Sequence, residues 1–137
     1  MQKVFIDTNI LLDHLLERTP FADDASEIME LAEANKIKVY TSTVSFVNTF
    51  YIIKKIIGHH KTLHHLKLIE RLIELIEVNQ KMVQQALDKP YKDFEDGIQM
   101  EAVMHVKGIT CIVTRNSSDF KLSTVPIITP KDFLASL

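Results

Sequence analysis

Four carboxylates in this 137-residue chain stand where short apolar runs end or helical patterns begin. Asp7 directly follows Lys3-Val4-Phe5-Ile6. Asp93 and Asp96 stand three residues apart at the start of a helical pattern that leads into an apolar run at 109–113, and Asp119 closes the polar run Asn116-Ser117-Ser118-Asp119 beyond it. Brought together, such groups repel: each pair at about 4 Å costs roughly 4 kcal/mol at an effective dielectric near 20. A bound cation relieves that cost. Oxygen ligands without companion His or Cys favour Mg²⁺ or Mn²⁺ over Zn²⁺, and Mg²⁺ keeps several waters, which suits phosphodiester hydrolysis. Taken singly, each acid has an ordinary alternative role. Asp7 and Asp93 can be helix caps and Asp119 a turn former. Asp96 is the hardest to dismiss, because a second acid in a first turn adds charge where one cap suffices.

The elements around these acids must deliver them to one place. The opening run predicts a strand, and Ile10, Leu11, His14 and Leu15 recur at helical spacing after it. Pro20 interrupts before a second helix marked by Ala25, Ile28, Met29 and Ala32 and ending near Asn35. Residues 37–41 read as a β-branched strand, and Ser42 or Thr43 as the cap of a helix running to Ile57 that Gly58 closes. A further helix carries Leu63, Leu66, Ile69, Leu72 and Ile73, ahead of a short strand at 75–78. Asn79 caps a brief helix through Leu87. Asp93 caps a helix to about Lys107, with Gly108 just past its end. A strand at 109–114, the pair Ile127-Ile128 and a closing helix opened by Thr129-Pro130 complete the chain.

Strands alternating with helices, and apolar on both faces, predict an α/β fold with a parallel sheet covered by helices through right-handed crossovers. Ligands in such sheets gather at the carboxyl ends of strands. Asp7 and Asp119 fall on that edge. Asp93 and Asp96 precede a strand, so the spacing leaves an amino-end placement open, and their meeting with Asp7 rests on the tertiary fold. The length suits one domain over residues 1–137, with no repeat or linker. A formal net charge of −2 excludes broad electrostatic coating of nucleic acid, so any nucleic-acid site is local. With no leader pattern and no apolar stretch of roughly 18 residues, the expectation is a cytoplasmic protein without membrane partners. Cys111, the only cysteine, reads as a small buried hydrophobe.

Phe5-Ile6-Asp7-Thr8-Asn9-Ile10-Leu11, Asp93-Phe94-Glu95-Asp96-Gly97-Ile98-Gln99 and Ile112-Val113-Thr114-Arg115-Asn116-Ser117-Ser118-Asp119-Phe120 resemble, in order and spacing, the acidic motifs of the PIN domain family. The resemblance spans nearly the whole chain. It implies a three-layer α/β/α fold with a central parallel sheet, and a Mg²⁺- or Mn²⁺-dependent ribonuclease acting on RNA. It also implies a toxin-like role beside an antitoxin protein, and a homodimer. The metal ligands it implies are Asp7, Asp96 and Asp119, with Asp93 and Asn116 as second-tier candidates and Thr114 orienting a metal-bound water. One position departs from the pattern. Where much of the family has an acid on the helix after the second strand, the matching residue is Asn48, which can coordinate or orient water but brings no negative charge. A second metal is then expected to bind more weakly, and a PIN-like nucleic-acid-binding module without catalysis is the alternative.

Other features have plainer readings. His60 and His64 share a helical face within His59, His60, His64 and His65, but no acid in the same turn completes a metal set, so a solvated or RNA-facing edge is the simpler expectation. Lys54, Lys55, Lys61, Lys67 and Arg71 concentrate positive charge that is usually a solvated face. Arg115, inside the last motif, is placed to touch a phosphate or a site carboxylate. The helix from Val44 to Ile57, apolar on more than one face, is either buried on two sides or meets a second subunit or an antitoxin. A P-loop, a dinucleotide glycine fingerprint and a Ser/His/Asp set are absent from the motifs.

Overall fold

The computed structural model describes residues 1–137, with elements in the order β1 (Gln2–Ile6), α1 (Thr8–Leu15), α2 (Ala22–Glu33), β2 (Ile37–Ser42), α3 (Thr43–Ile57), α4 (His59–Glu70), β3 (Ile73–Ile76), α5 (Gln80–Asp88), α6 (Phe94–His105), β4 (Ile109–Val113), β5 (Ile127–Ile128) and α7 (Pro130–Ala135). A 3₁₀ turn, Ser117–Phe120, follows β4. The sheet runs β3-β2-β1-β4-β5 and every pairing is parallel. Helices cover both faces, which makes the three-layer α/β/α architecture.

Alternation along the strands builds two cores, since successive side chains point to opposite faces. Val4, Ile6, Val39, Cys111 and Val113 join Ile10, Leu11, Ile28, Met29 and Phe133 on the face covered by α1, α2 and α7. Phe5, Tyr40 and Ile112 meet Met82, Met100, Val103 and Phe120 on the face covered by α5 and α6. Cys111 is buried in β4. The outermost register, Val113 with Ile128 and Ile6 with Val113, brings the carboxyl ends of β1, β4 and β5 into line.

One expectation is corrected, and one open alternative is decided. Helical spacing placed Leu72 and Ile73 in a helix and the third strand at 75–78, whereas α4 ends at Glu70 and β3 begins at Ile73, which pairs with Val39. Ile69, Leu72, Ile73 and Ile76 satisfy a helical period by coincidence, and sheet pairing decides between the two. The α3 helix is not buried on two sides. Its buried stripe is Ser45, Thr49 and Ile53, while Val47, Tyr51, Ile52 and Ile56 are exposed, Ile56 by 63%. No helix is long and apolar enough to cross a membrane.

Candidate metal centre

Asp7 is the N-cap of α1: its Oδ1 accepts the Thr8 N–H at 2.7 Å, and its own N–H donates to the Val113 carbonyl. Its second oxygen accepts the Thr114 hydroxyl at 2.9 Å, and Thr114 Oγ1 in turn accepts the Asn116 N–H at 3.0 Å. Thr114, which the resemblance gives a metal-bound water to orient, therefore spends its only proton on Asp7. What it orients here is the carboxylate. Burial pushes Asp7 above the usual carboxylate range, against those two hydrogen bonds, and repulsion from Asp119 and Glu95 adds to the rise.

Asp93 caps α6, accepting the Asp96 N–H at 3.0 Å. Asp96 is half-buried, and its carboxyl is pushed up to about 7 by desolvation first, then by Asp119, Asp93, Asp7 and Glu95. These mutual repulsions place five acids from three separate segments in one field. The reason is topological: a helix inside a right-handed crossover runs back against the strands, so the N-terminus of α6 lies at the carboxyl edge and its C-terminus feeds β4. The amino-end alternative for Asp93 and Asp96 is thereby excluded. Asp119 lies exposed in the 3₁₀ turn, near Asn116, which is exposed too.

An open cleft of about 280 Å³ runs between the start of α6 and the 3₁₀ turn, lined by Asp93, Asp96, Ser118 and Asp119 with Lys92 and Lys121. Its shape depends on the 89–93 segment, which is tied to α6 at buried Glu101: Lys89 Nζ donates to both carboxylate oxygens, and the Tyr91 hydroxyl donates to Oε2. Gly97 permits this, because a Cβ there would sit 2.7 Å from Tyr91 Cδ2.

Whether the residues fit a cation turns on donor type and spacing. No three Asp, Glu, His or Cys side chains stand close enough together to hold a metal ion directly between them. An open oxygen site is what a hydrated Mg²⁺ takes, since it binds through one or two carboxylates and keeps its waters. Two buried polar atoms beside the acids lack partners, Thr8 Oγ1 next to Asp7 and Gln99 Oε1 one helical turn after Asp96. Buried groups of this kind are normally satisfied by protein, water or an ion. The donors thus fit a hydrated hard cation and do not fit a structural Zn²⁺ site. The four clustered histidines on and near α4 are all exposed and form no metal-holding group either.

Asn48 is half-buried on α3, six residues beyond the Ser42 cap. Arg115 turns away from the acidic cluster. Its Nε and Nη2 pair with Asp13 at 2.7 and 3.1 Å, an acid wholly buried in α1 that also accepts Arg18 Nε at 2.9 Å. Sequence reasoning passed over Asp13. An acid inside an otherwise apolar helix face, with Arg five residues on, was the available signal.

A pH dependence follows from Asp96. Its folded value lies above the ordinary 3.8, so the folded state holds this proton more tightly than the unfolded chain does. That contribution to stability is complete below about 4 and lost as pH rises through about 7. In metal-free protein, Asp96→Asn is expected to gain thermal stability over wild type progressively across that window, and Mn²⁺ is expected to erase the gain above pH 7. Melting curves of both proteins from pH 4 to 8, with chelator and with Mn²⁺, provide the check.

The PIN domain family model matches residues 3–118. The chain belongs to the PIN domain family. Ribonuclease VapC1 of Aquifex aeolicus (strain VF5) is 26% identical over 137 residues, covering 96% of this chain and 93% of that protein. Among solved structures, VapBC2 from Rickettsia felis, bound to a DNA fragment from its promoter, superposes with a TM-score of 0.67 at 15% identity, over 93% of this chain and 97% of that one. A toxin–antitoxin complex from Klebsiella pneumoniae gives a TM-score of 0.64 at 24% identity, over the same shares of the two chains.

Proposed function

We propose that this chain, as one domain, is a divalent-metal-dependent endoribonuclease, the toxin-type member of a toxin–antitoxin pair. The observation that carries the reading is the convergence of Asp7, Asp96 and Asp119 from three segments, at the sheet edge where ligands bind, with the proton affinities of Asp7 and Asp96 raised in a way that a cation would reverse. The names of the Aquifex relative and the Klebsiella complex support the reaction class and the antitoxin partner. Asp7, Asp96 and Asp119 would hold a hydrated Mg²⁺ or Mn²⁺, one or two of them directly and the rest through its waters, with Asp93 and Asn116 as further candidates. Such a cation supplies charge neutralisation at the scissile phosphate and an acidified water. Thr114 locks the Asp7 carboxylate, and Lys92 and Lys121 at the rim hold RNA phosphates. The exposed apolar stripe of α3 is the surface we assign to a second copy of the chain.

Cleavage of a mixed single-stranded RNA pool with Mg²⁺, Mn²⁺ or chelator tests the reaction. Metal-dependent cleavage is expected. Its complete absence from folded, antitoxin-free protein would favour a binding module without catalysis, the reading that the uncharged Asn48 supports. Lys92→Ala with Lys121→Ala is expected to raise KM about three- to tenfold and to flatten the salt dependence of RNA binding, each phosphate contact contributing close to one counterion.

Asn48→Asp provides a further check on the centre. Ligand charge count tunes affinity for hard cations. On the resemblance, Asn48 takes the position of a site acid, so the added carboxylate is expected to tighten Mn²⁺ binding by about three- to tenfold, read by calorimetric titration. Unchanged affinity would remove Asn48 from the site.

A further inference from the structure

An RNA strand crossing the carboxyl edge meets several acids on a chain of net charge −2, so local cations must hold it there. Lys92 and Lys121 stand on the α6 side. On the other side, a second cleft of about 570 Å³ opens between the loop after β4, the turn before α2 and the start of α7, lined by Arg115, Phe21, Asp24, Thr129 and Lys131. In sequence Arg115 lies between Thr114, which holds Asp7, and Asn116. This cleft therefore opens on the same carboxyl edge of the sheet as the acidic centre, because β4 and β5 end side by side there.

The cationic wall of the cleft is fixed in place. Asp13, with no solvent exposure, grips one edge of the Arg115 guanidinium, whose Cζ stands 3.8 Å from the centroid of the Phe21 ring. The Nη1 edge is left free to donate. Arg18 and Arg115 share the single Asp13 charge, which leaves one positive charge over. Lys131 is exposed and makes no ion pair, so Asp24 is the one acid set against these cations. A pocket of this volume accommodates a nucleotide. Phe21 is 39% exposed and offers ring surface to a base, while Arg and Lys suit a phosphate.

We propose that this cleft is a nucleotide subsite for the RNA strand flanking the scissile bond, with Arg115 and Lys131 on the phosphate and Phe21 against the base. The assignment rests on the ribonuclease reading, and the test separates the two. Anisotropy of a labelled single-stranded oligoribonucleotide in chelator reads binding alone, and cleavage in Mn²⁺ reads KM and kcat. Lys131→Glu is expected to weaken binding about five- to tenfold and lower its salt slope, with the loss in cleavage falling on KM. Arg115→Lys, keeping charge but not the fork, is expected to weaken binding less than Lys131→Glu does. Lys36→Glu, just ahead of β2 on the amino edge, serves as the control for net charge. Binding of the Lys131→Glu protein equal to that of Lys36→Glu would overturn the subsite, whether or not RNA is cleaved. If RNA is not cleaved in any metal but binding stays sensitive to Lys131, the subsite stands and the ribonuclease reading falls.

Discussion

Replacing Asp7 by Asn is expected to lower RNA cleavage by about 10²- to 10⁴-fold while leaving the metal-free protein at least as stable as wild type. The first effect follows from the role of a bound cation: it contributes several kcal/mol of transition-state charge stabilisation, and each 1.36 kcal/mol is tenfold in rate. The second follows from burial. Asp7 carries its charge unwillingly in the metal-free fold, held above the ordinary carboxylate range by desolvation and by the field of Asp119 and Glu95. Asn keeps an acceptor for the Thr8 N–H and removes the repelling charge, so stability withheld for the site returns. Steady-state cleavage in Mn²⁺, beside melting curves in chelator, measures both. Lost cleavage with an unchanged or higher melting temperature identifies a ligand; lost cleavage with a much lower one identifies a structural cap. Full cleavage by the Asn variant would remove Asp7 from the centre.

The legibility of this site differed from residue to residue for physical reasons. Asp7 was readable because it ends an apolar strand-like run and opens a helical period, and the fold places it at that boundary. Asn79, Asp93 and Thr129 were readable as caps, since a side-chain oxygen must satisfy the free N–H groups of a helix start, and each accepts one in the structure. The meeting of Asp96 with Asp7 was not legible from spacing, because it depends on helix direction relative to the sheet. Parallel topology, once granted, dictates it. The boundary between α4 and β3 failed for another reason: in a short apolar segment the helical and extended periods coincide, and pairing with β2 decides. Arg115 was read toward a phosphate or a site acid, while its strongest partner is an acid 102 positions away in sequence. Residue type revealed its chemistry, and only the fold revealed its address.

That distant pairing carries the second large effect. Asp13→Ala is expected to cost about 3–5 kcal/mol of stability, because it leaves two guanidinium groups facing a buried position with no counter-charge. Asp13→Asn keeps one acceptor and is expected to cost less. The damage should not stay within α1. Arg18 caps the end of α1 through Asp13 and leads into the turn before α2, where its carbonyl accepts the N–H groups of Phe21 and Ala22. Arg115 is joined on either side to Thr114, whose hydroxyl holds the Asp7 carboxylate, and Asn116, whose N–H donates to that hydroxyl oxygen. Urea unfolding of the two variants gives the stability terms, and Mn²⁺ titration of the Asn variant, under conditions where it is folded, reads the centre. If Asp13 only braces the fold, Mn²⁺ affinity in that folded variant stays at the wild-type value. If it holds the loop that presents Asp7, affinity falls about 10- to 100-fold, the range expected when a supporting partner of a metal ligand is lost. A buried acid outside every acidic motif would then set how firmly the motif acids bind.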